Sequence, residues 1–160
     1  MNDRSITPLF TLAVSIAYVI RADQNTSVQE RAEWVTVFGQ LVETGEYSKT
    51  QLGILTQDAF AYAADNELSI FLEDVVPILS VSQKISILIN MYDTLLADGI
   101  IKEGERAVFT KFQNAFDIDK QTIKYIREFL TLQNDLTVFT NDAHPYNDDE
   151  FSLGHLFRDS

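Results

Sequence analysis

Moving the chain by 75 residues against itself superimposes Ala22-Asp23 on Ala97-Asp98 and Glu30-Arg31 on Glu105-Arg106, with six residues between the two acids in both copies. Apolar positions follow the same offset: Phe10, Leu12, Val14 and Ile16 meet Ile85, Ile87, Ile89 and Met91, Trp34 meets Phe109, and Leu41 meets Phe116. A repeat constrains the fold more tightly than composition does, because each copy has to close as one supersecondary unit against its neighbours. Here each copy reads as an apolar helix, a short acidic turn and a second, amphipathic helix.

Helical signals continue through the chain. A first helix is predicted near residues 6–22, with Pro8 tolerated in its first turn. A second covers about 28–43, where Ser27 and Glu30 have capping-box spacing and Trp34, Val37, Phe38 and Leu41 fall at i, i+3, i+4, i+7. A third starts after Ser48, with Gln51 as its box partner, and runs to about Ala64. A shorter one buries Leu68, Phe71, Leu72, Val75 and Val76 before Pro77 interrupts it. Ser80 or Ser82 opens a helix over about 83–97, with Ile85, Leu88, Ile89, Tyr92 and Leu96 as its buried face. Asp98-Gly99 stops it. Helices over about 103–116, carrying Val108, Phe109, Phe112 and Phe116, and after Asp119 follow, the last with Ile123, Ile126, Phe129 and Leu130 inward. The expected fold is all-α: a bundle of about seven helices built from two similar halves over residues 1–133, followed by an acidic, irregular tail over 134–160. Phe139, Tyr146, Phe151, Leu153, Leu156 and Phe157 make that tail too apolar for a freely solvated chain, so part of it is expected to dock on the bundle or on a partner.

Charge and composition remove several functions. Twelve Lys and Arg against 24 Asp and Glu give a net charge of −12, which repels nucleic-acid phosphates. Without cysteine there is no disulfide, thiolate zinc site or thiol nucleophile. The glycines form neither of the common phosphate-cradling loops, and both histidines, His144 and His155, stand in the tail. Leu9–Ile20 is apolar but too short to cross a bilayer, is followed by no small-x-small cleavage site, and belongs to the repeat. It is therefore expected to be part of the fold of a cytoplasmic protein with no direct membrane insertion.

The chemistry-bearing candidates are the acids of the two turns, Asp23 with Glu30 and Asp98 with Glu105. In each pair the first acid closes one helix and the second lies in the opening turn of the next. If the halves pack about a pseudo-twofold axis, four carboxylates converge. Unit charges about 4 Å apart repel by roughly 4 kcal/mol at an effective dielectric of 20, so such a cluster takes up protons, separates or holds a hard cation. An all-oxygen donor set favours calcium, magnesium or manganese. The competing reading is that Glu30 and Glu105 cap helix N-termini while Asp23 and Asp98 are turn residues. Lys102 replaces Ser27 in the second copy, so half of the box is missing there while the glutamate stays. The spacing is not that of an EF-hand, whose twelve-residue loop has alternating oxygen ligands and a central glycine. Asp93 is a further acid on the same helix, facing Tyr18 in the repeat. The tail segment His144–Glu150 reads as a solvated acidic run in preference to a separate metal site.

Leu96-Ala97-Asp98-Gly99-Ile100-Ile101 through Glu105-Arg106 resembles the hallmark of the tellurite-resistance TerB-like family, and Ile20-Arg21-Ala22-Asp23 through Glu30-Arg31 resembles a degenerate copy of it. The resemblance covers roughly residues 9–131. It implies an all-helical fold of two similar halves, a metal site matching Asp23, Glu30, Asp98 and Glu105, and no enzymatic activity. It further implies a role in tellurite resistance and bacterial stress response beside protein partners, membrane-associated stress proteins among them. Asp23 is followed by Gln24-Asn25 where the pattern has glycine, so the first turn is expected to adopt a different backbone. The alternative function is a non-catalytic acidic scaffold or adaptor that binds a protein partner without metal.

Overall fold

The computed structural model describes residues 6–22, 28–96 and 101–151, with residues 28–33 and 35 described by backbone alone. The described residues are helical, with no strand among them. They divide into two compact units, Met1–Asp117 and Ile118–Ser160. The change of composition at 133/134 falls inside the second unit.

The first unit contains α1 (Pro8–Ala22), α2 (Val28–Glu43), α3 (Lys49–Asp65), α4 (Leu68–Val75), a single 3-10 turn (Val76–Ile78), α5 (Val81–Leu96) and α6 (Glu103–Phe116). Helix α1 is its centre, packed against α3, α5 and α6 and buried without a break from Ala13 to Ile20. A helix surrounded on all sides must satisfy its polar side chains internally. Ser15 Oγ donates to the Thr11 carbonyl at 2.6 Å, and Thr11 Oγ1 donates to the Thr7 carbonyl at 3.0 Å. An aromatic chain links the other helices to this core: Phe71 of α4 lies 5.4 Å from Tyr18, 5.7 Å from Tyr62 and 6.1 Å from Phe112, centroid to centroid. In α2, Trp34 stacks on Phe38 at 4.5 Å and on Phe60 of α3 at 5.1 Å, and donates its indole N–H to Thr56 Oγ1 at 3.0 Å.

Helix ends follow local chemistry. Ser48 and Gln51 form both halves of a capping box, with Gln51 N–H donating to Ser48 Oγ at 3.1 Å and Ser48 N–H to Gln51 Oε1 at 2.8 Å. Ser80 and Gln83 repeat the arrangement at 3.1 and 2.8 Å, so Ser80 is the residue that opens α5. Gly45, at φ +80°, ends α2 in a left-handed conformation that a side chain would strain.

The buried faces of α4 and α5 depart in part from the sequence reading, and Leu68 and Val76 are only half-buried. In α5 the buried residues are Ile87, Leu88, Met91, Tyr92, Thr94 and Leu95, whereas Ile89 is 38% exposed and Ile85 and Leu96 are half-buried. Apolar residues nearly encircle α5, so several faces satisfy the i, i+3, i+4 pattern. Contact with α1 and α6 selects among them.

The second unit contains α7 (Lys120–Asn134) and α8 (Thr137–Thr140). The Asp119 carboxylate caps α7, accepting from Thr122 N–H at 2.8 Å and from its hydroxyl at 2.9 Å. These bonds hold its pKa below the ordinary 3.8. A depressed carboxylate pKa stabilises the fold above the ordinary value and stops doing so as pH falls through the lower folded one. Below about pH 4, α7 is therefore expected to fray from its N-terminus. Asp119→Asn is expected to flatten that acid limb, as monitored by hydrogen exchange at Ile123 and Lys124. In α7 the inward residues include Tyr125 and Glu128, while Phe129, expected inside, is 42% exposed.

Beyond α7 the described residues, up to 151, are irregular apart from α8, yet closely hydrogen-bonded. His144 Nε2 lies 3.0 Å from Asp135 Oδ2, and Tyr146 N–H donates to His144 Nδ1 at 3.0 Å. Asn147 Nδ2 donates to the carbonyls of Val138 at 2.7 Å and Asn141 at 3.0 Å.

Candidate functional site: the acidic elbow between α1 and α6

Of the four carboxylates singled out by the repeat, Asp23 and Asp98 lie outside the described residues, and only the backbone of Glu30 is described. Glu105 is described fully. It sits at the third position of α6, 1% exposed, with Oε1 accepting the Lys102 backbone N–H at 3.3 Å. The Lys102 ammonium has no lone pair to accept an N–H in return, so the side-chain half of a serine-type box cannot form. A charged Glu105 carboxylate at this depth needs hydrogen bonds or a counter-charge around it.

The residue before Glu105 fixes where this turn lies. A β-carbon placed on Gly104 would come 3.2 Å from the carbonyl oxygen of Ala22, the last residue of α1. The start of α6 therefore rests on the end of α1, immediately before Asp23. That carbonyl is among the four at a helix C-terminus that lack an intrahelical donor. Both α1 and α5 pack on α6. Helix α2 begins at Val28 and α6 at Glu103, the same 75-residue offset that aligns the acids.

Sequence reasoning passed over Gly104. The available signal was a glycine in the first turn of a helix, where alanine would raise helical propensity by about 0.5–1 kcal/mol, so glycine implies a close approach. Gly104→Val is expected to lower the stability of this unit by about 1–3 kcal/mol, since the valine would have to move a helix-end carbonyl. Thermal unfolding monitored by circular dichroism reads the change. A melting temperature equal to or above that of the parent would contradict the contact.

Tyr18, the repeat counterpart of Asp93, is buried and donates its phenol to the Asn66 carbonyl at 2.8 Å. Burial and the neighbouring Tyr62 push its pKa up to about 12, partly offset by Arg21, so it acts as a structural hydrogen-bond donor at neutral pH. Asp93 is half-buried on α5. His144 has both ring nitrogens occupied: Nδ1 accepts from Tyr146 N–H, so the neutral ring carries its proton on Nε2 and donates to Asp135. The Thr137 and His144 side chains hold the Asp135 carboxyl below the ordinary range. Long-range proton–nitrogen NMR is expected to find the Nε2–H tautomer, and an Nδ1–H signal would contradict this assignment. His155 lies outside the described residues. Among the described residues no three His, Cys, Asp or Glu side chains group as a metal site.

No protein-family model, no curated protein and no solved structure matches the chain.

Proposed function

We propose that this chain is a divalent-cation-binding helical module of the TerB-like kind, non-enzymatic and cytoplasmic, serving tellurite resistance and bacterial stress response beside protein partners. The observation that carries the reading is the seating of Gly104 on the Ala22 carbonyl, with the buried Glu105 next in sequence. Close packing of that kind brings the chain flanking Asp23 to the chain that holds Glu105. The donors are carboxylate and carbonyl oxygens, chemistry suited to calcium, magnesium or manganese. Asp23, Glu30, Asp98 and Glu105 would hold the ion. It would neutralise their charge and tie the two turns together. Isothermal titration with calcium, magnesium and manganese chlorides tests this. One saturating binding event is expected for the parent chain and none for Asp98→Ala or Glu105→Ala. Absence of binding in the parent at millimolar ion would overturn the proposal.

A second reading, an acidic adaptor that binds a protein partner without metal, draws on α8 and its approach. Leu136 is 68% and Phe139 80% exposed, more apolar surface than a short polar turn requires. Binding to a partner that survives Asp98→Ala but fails with Leu136→Ser and Phe139→Ser together would favour it.

A further inference from the structure

We propose that the groove between α4 and α6 is a docking site for a basic amphipathic helix of a partner protein. The groove lies within the unit Met1–Asp117 and has a volume of about 790 Å3. Along one wall Leu68, Leu72 and Val76 succeed one another at i, i+4 and i+8, an apolar ridge about 12 Å long at the helical rise of 1.5 Å per residue. The other wall is Lys111, Asn114 and Ala115 of α6, at i, i+3 and i+4. A trough edged by two turns on the α4 side and one turn of α6 on the other is shaped for a third helix that lays its own i, i+3, i+4, i+7 stripe along it.

Charge selects the occupant. Glu67 and Glu73 stand exposed on the α4 wall, and Lys111 stands exposed on the α6 wall. A complementary helix therefore carries lysine or arginine along one flank and an acid along the other, which fixes its direction in the groove. The −12 net charge of the chain attracts such a basic segment from a distance and repels an acidic one. Glu105, the one elbow acid whose side chain is described, does not line the groove, and this inference does not rest on cation binding.

The test uses the full chain, isotope-labelled, and an 18-residue synthetic helix with leucines at i, i+3, i+4 and i+7, lysines along one flank and a single glutamate along the other. A scrambled peptide of the same composition is the control. Chemical-shift changes are expected at Leu68, Leu72 and Ala115. Glu67→Lys combined with Glu73→Lys is expected to weaken binding by about tenfold or more, as both rim charges turn repulsive. Lys111→Glu is expected to weaken it too, with recovery when the peptide's glutamate becomes lysine. All three substituted residues are exposed, and an unchanged circular dichroism spectrum verifies that the variants fold. Equal affinity for the scrambled peptide, shifts that gather on residues 135–151 instead, or sedimentation showing that this face pairs two copies of the chain would each overturn the proposal.

Discussion

Phe71→Ala is expected to lower the stability of the unit Met1–Asp117 by about 3–5 kcal/mol. Phe71 has no exposed surface and lies within ring-contact distance of Tyr18, Tyr62 and Phe112, which belong to α1, α3 and α6. Removing the ring loses its own transfer free energy and leaves a cavity that three separate helices would have to move to fill. Trp34, the only tryptophan, is 7% exposed in the same unit and reports its unfolding by fluorescence in urea. A shift of the urea midpoint at constant slope yields the loss directly. A loss below about 1 kcal/mol would mean that α4 does not contribute to the core as described, because such small values belong to surface substitutions.

A cation held as proposed is expected to act on the same unit with an effect almost as large. A ligand bound only by the folded state, present at a hundred times its dissociation constant, adds about 2.7 kcal/mol. The diagnostic variant is Glu105→Gln. Glutamine retains the side-chain oxygen that accepts the Lys102 N–H and is as good as glutamate in a capping box. If Glu105 only caps α6, Glu105→Gln should melt near the parent temperature with and without ions. With a cation held there, Glu105→Gln should melt at or above the parent in chelator, where the buried carboxylate lacks its counter-charge, and only the parent should gain stability when calcium or manganese is added. The comparison separates charge from hydrogen bonding in one residue, which an alanine substitution cannot do.

Helix existence and most helix ends were legible in the sequence because their causes are local. The Ser48–Gln51 box, the Asp119 cap and the stop at Gly45 each need only residues a few positions apart. Faces were legible where a helix is amphipathic, as in α6, whose Phe109, Phe112 and Phe116 are buried, with Val108 beside them half-buried. They were not legible in α5, where apolar residues occupy most of the circumference and the choice of face belongs to α1 and α6. Phe129 of α7 shows a different limit. Helical spacing makes it a candidate for the interior but cannot say that Glu128 takes the inward place. At the candidate site, the repeat placed Glu105 in the opening turn of a helix, where it is found, but carried no sign of its burial. The approach of Gly104 to Ala22 joins residues 82 positions apart, and no short-range pattern encodes such a distance.

Substoichiometric manganese tests the elbow most directly, because a bound paramagnetic ion broadens the amide signals of its own neighbourhood. The signals of Ala22, Gly104 and Glu105 are expected to vanish first, while those around Ser48, at the start of α3, persist. Loss that begins instead at Asp148, Asp149 and Glu150 would show that the ion prefers the exposed acids near the C-terminus, and the shared site between α1 and α6 would have to be abandoned.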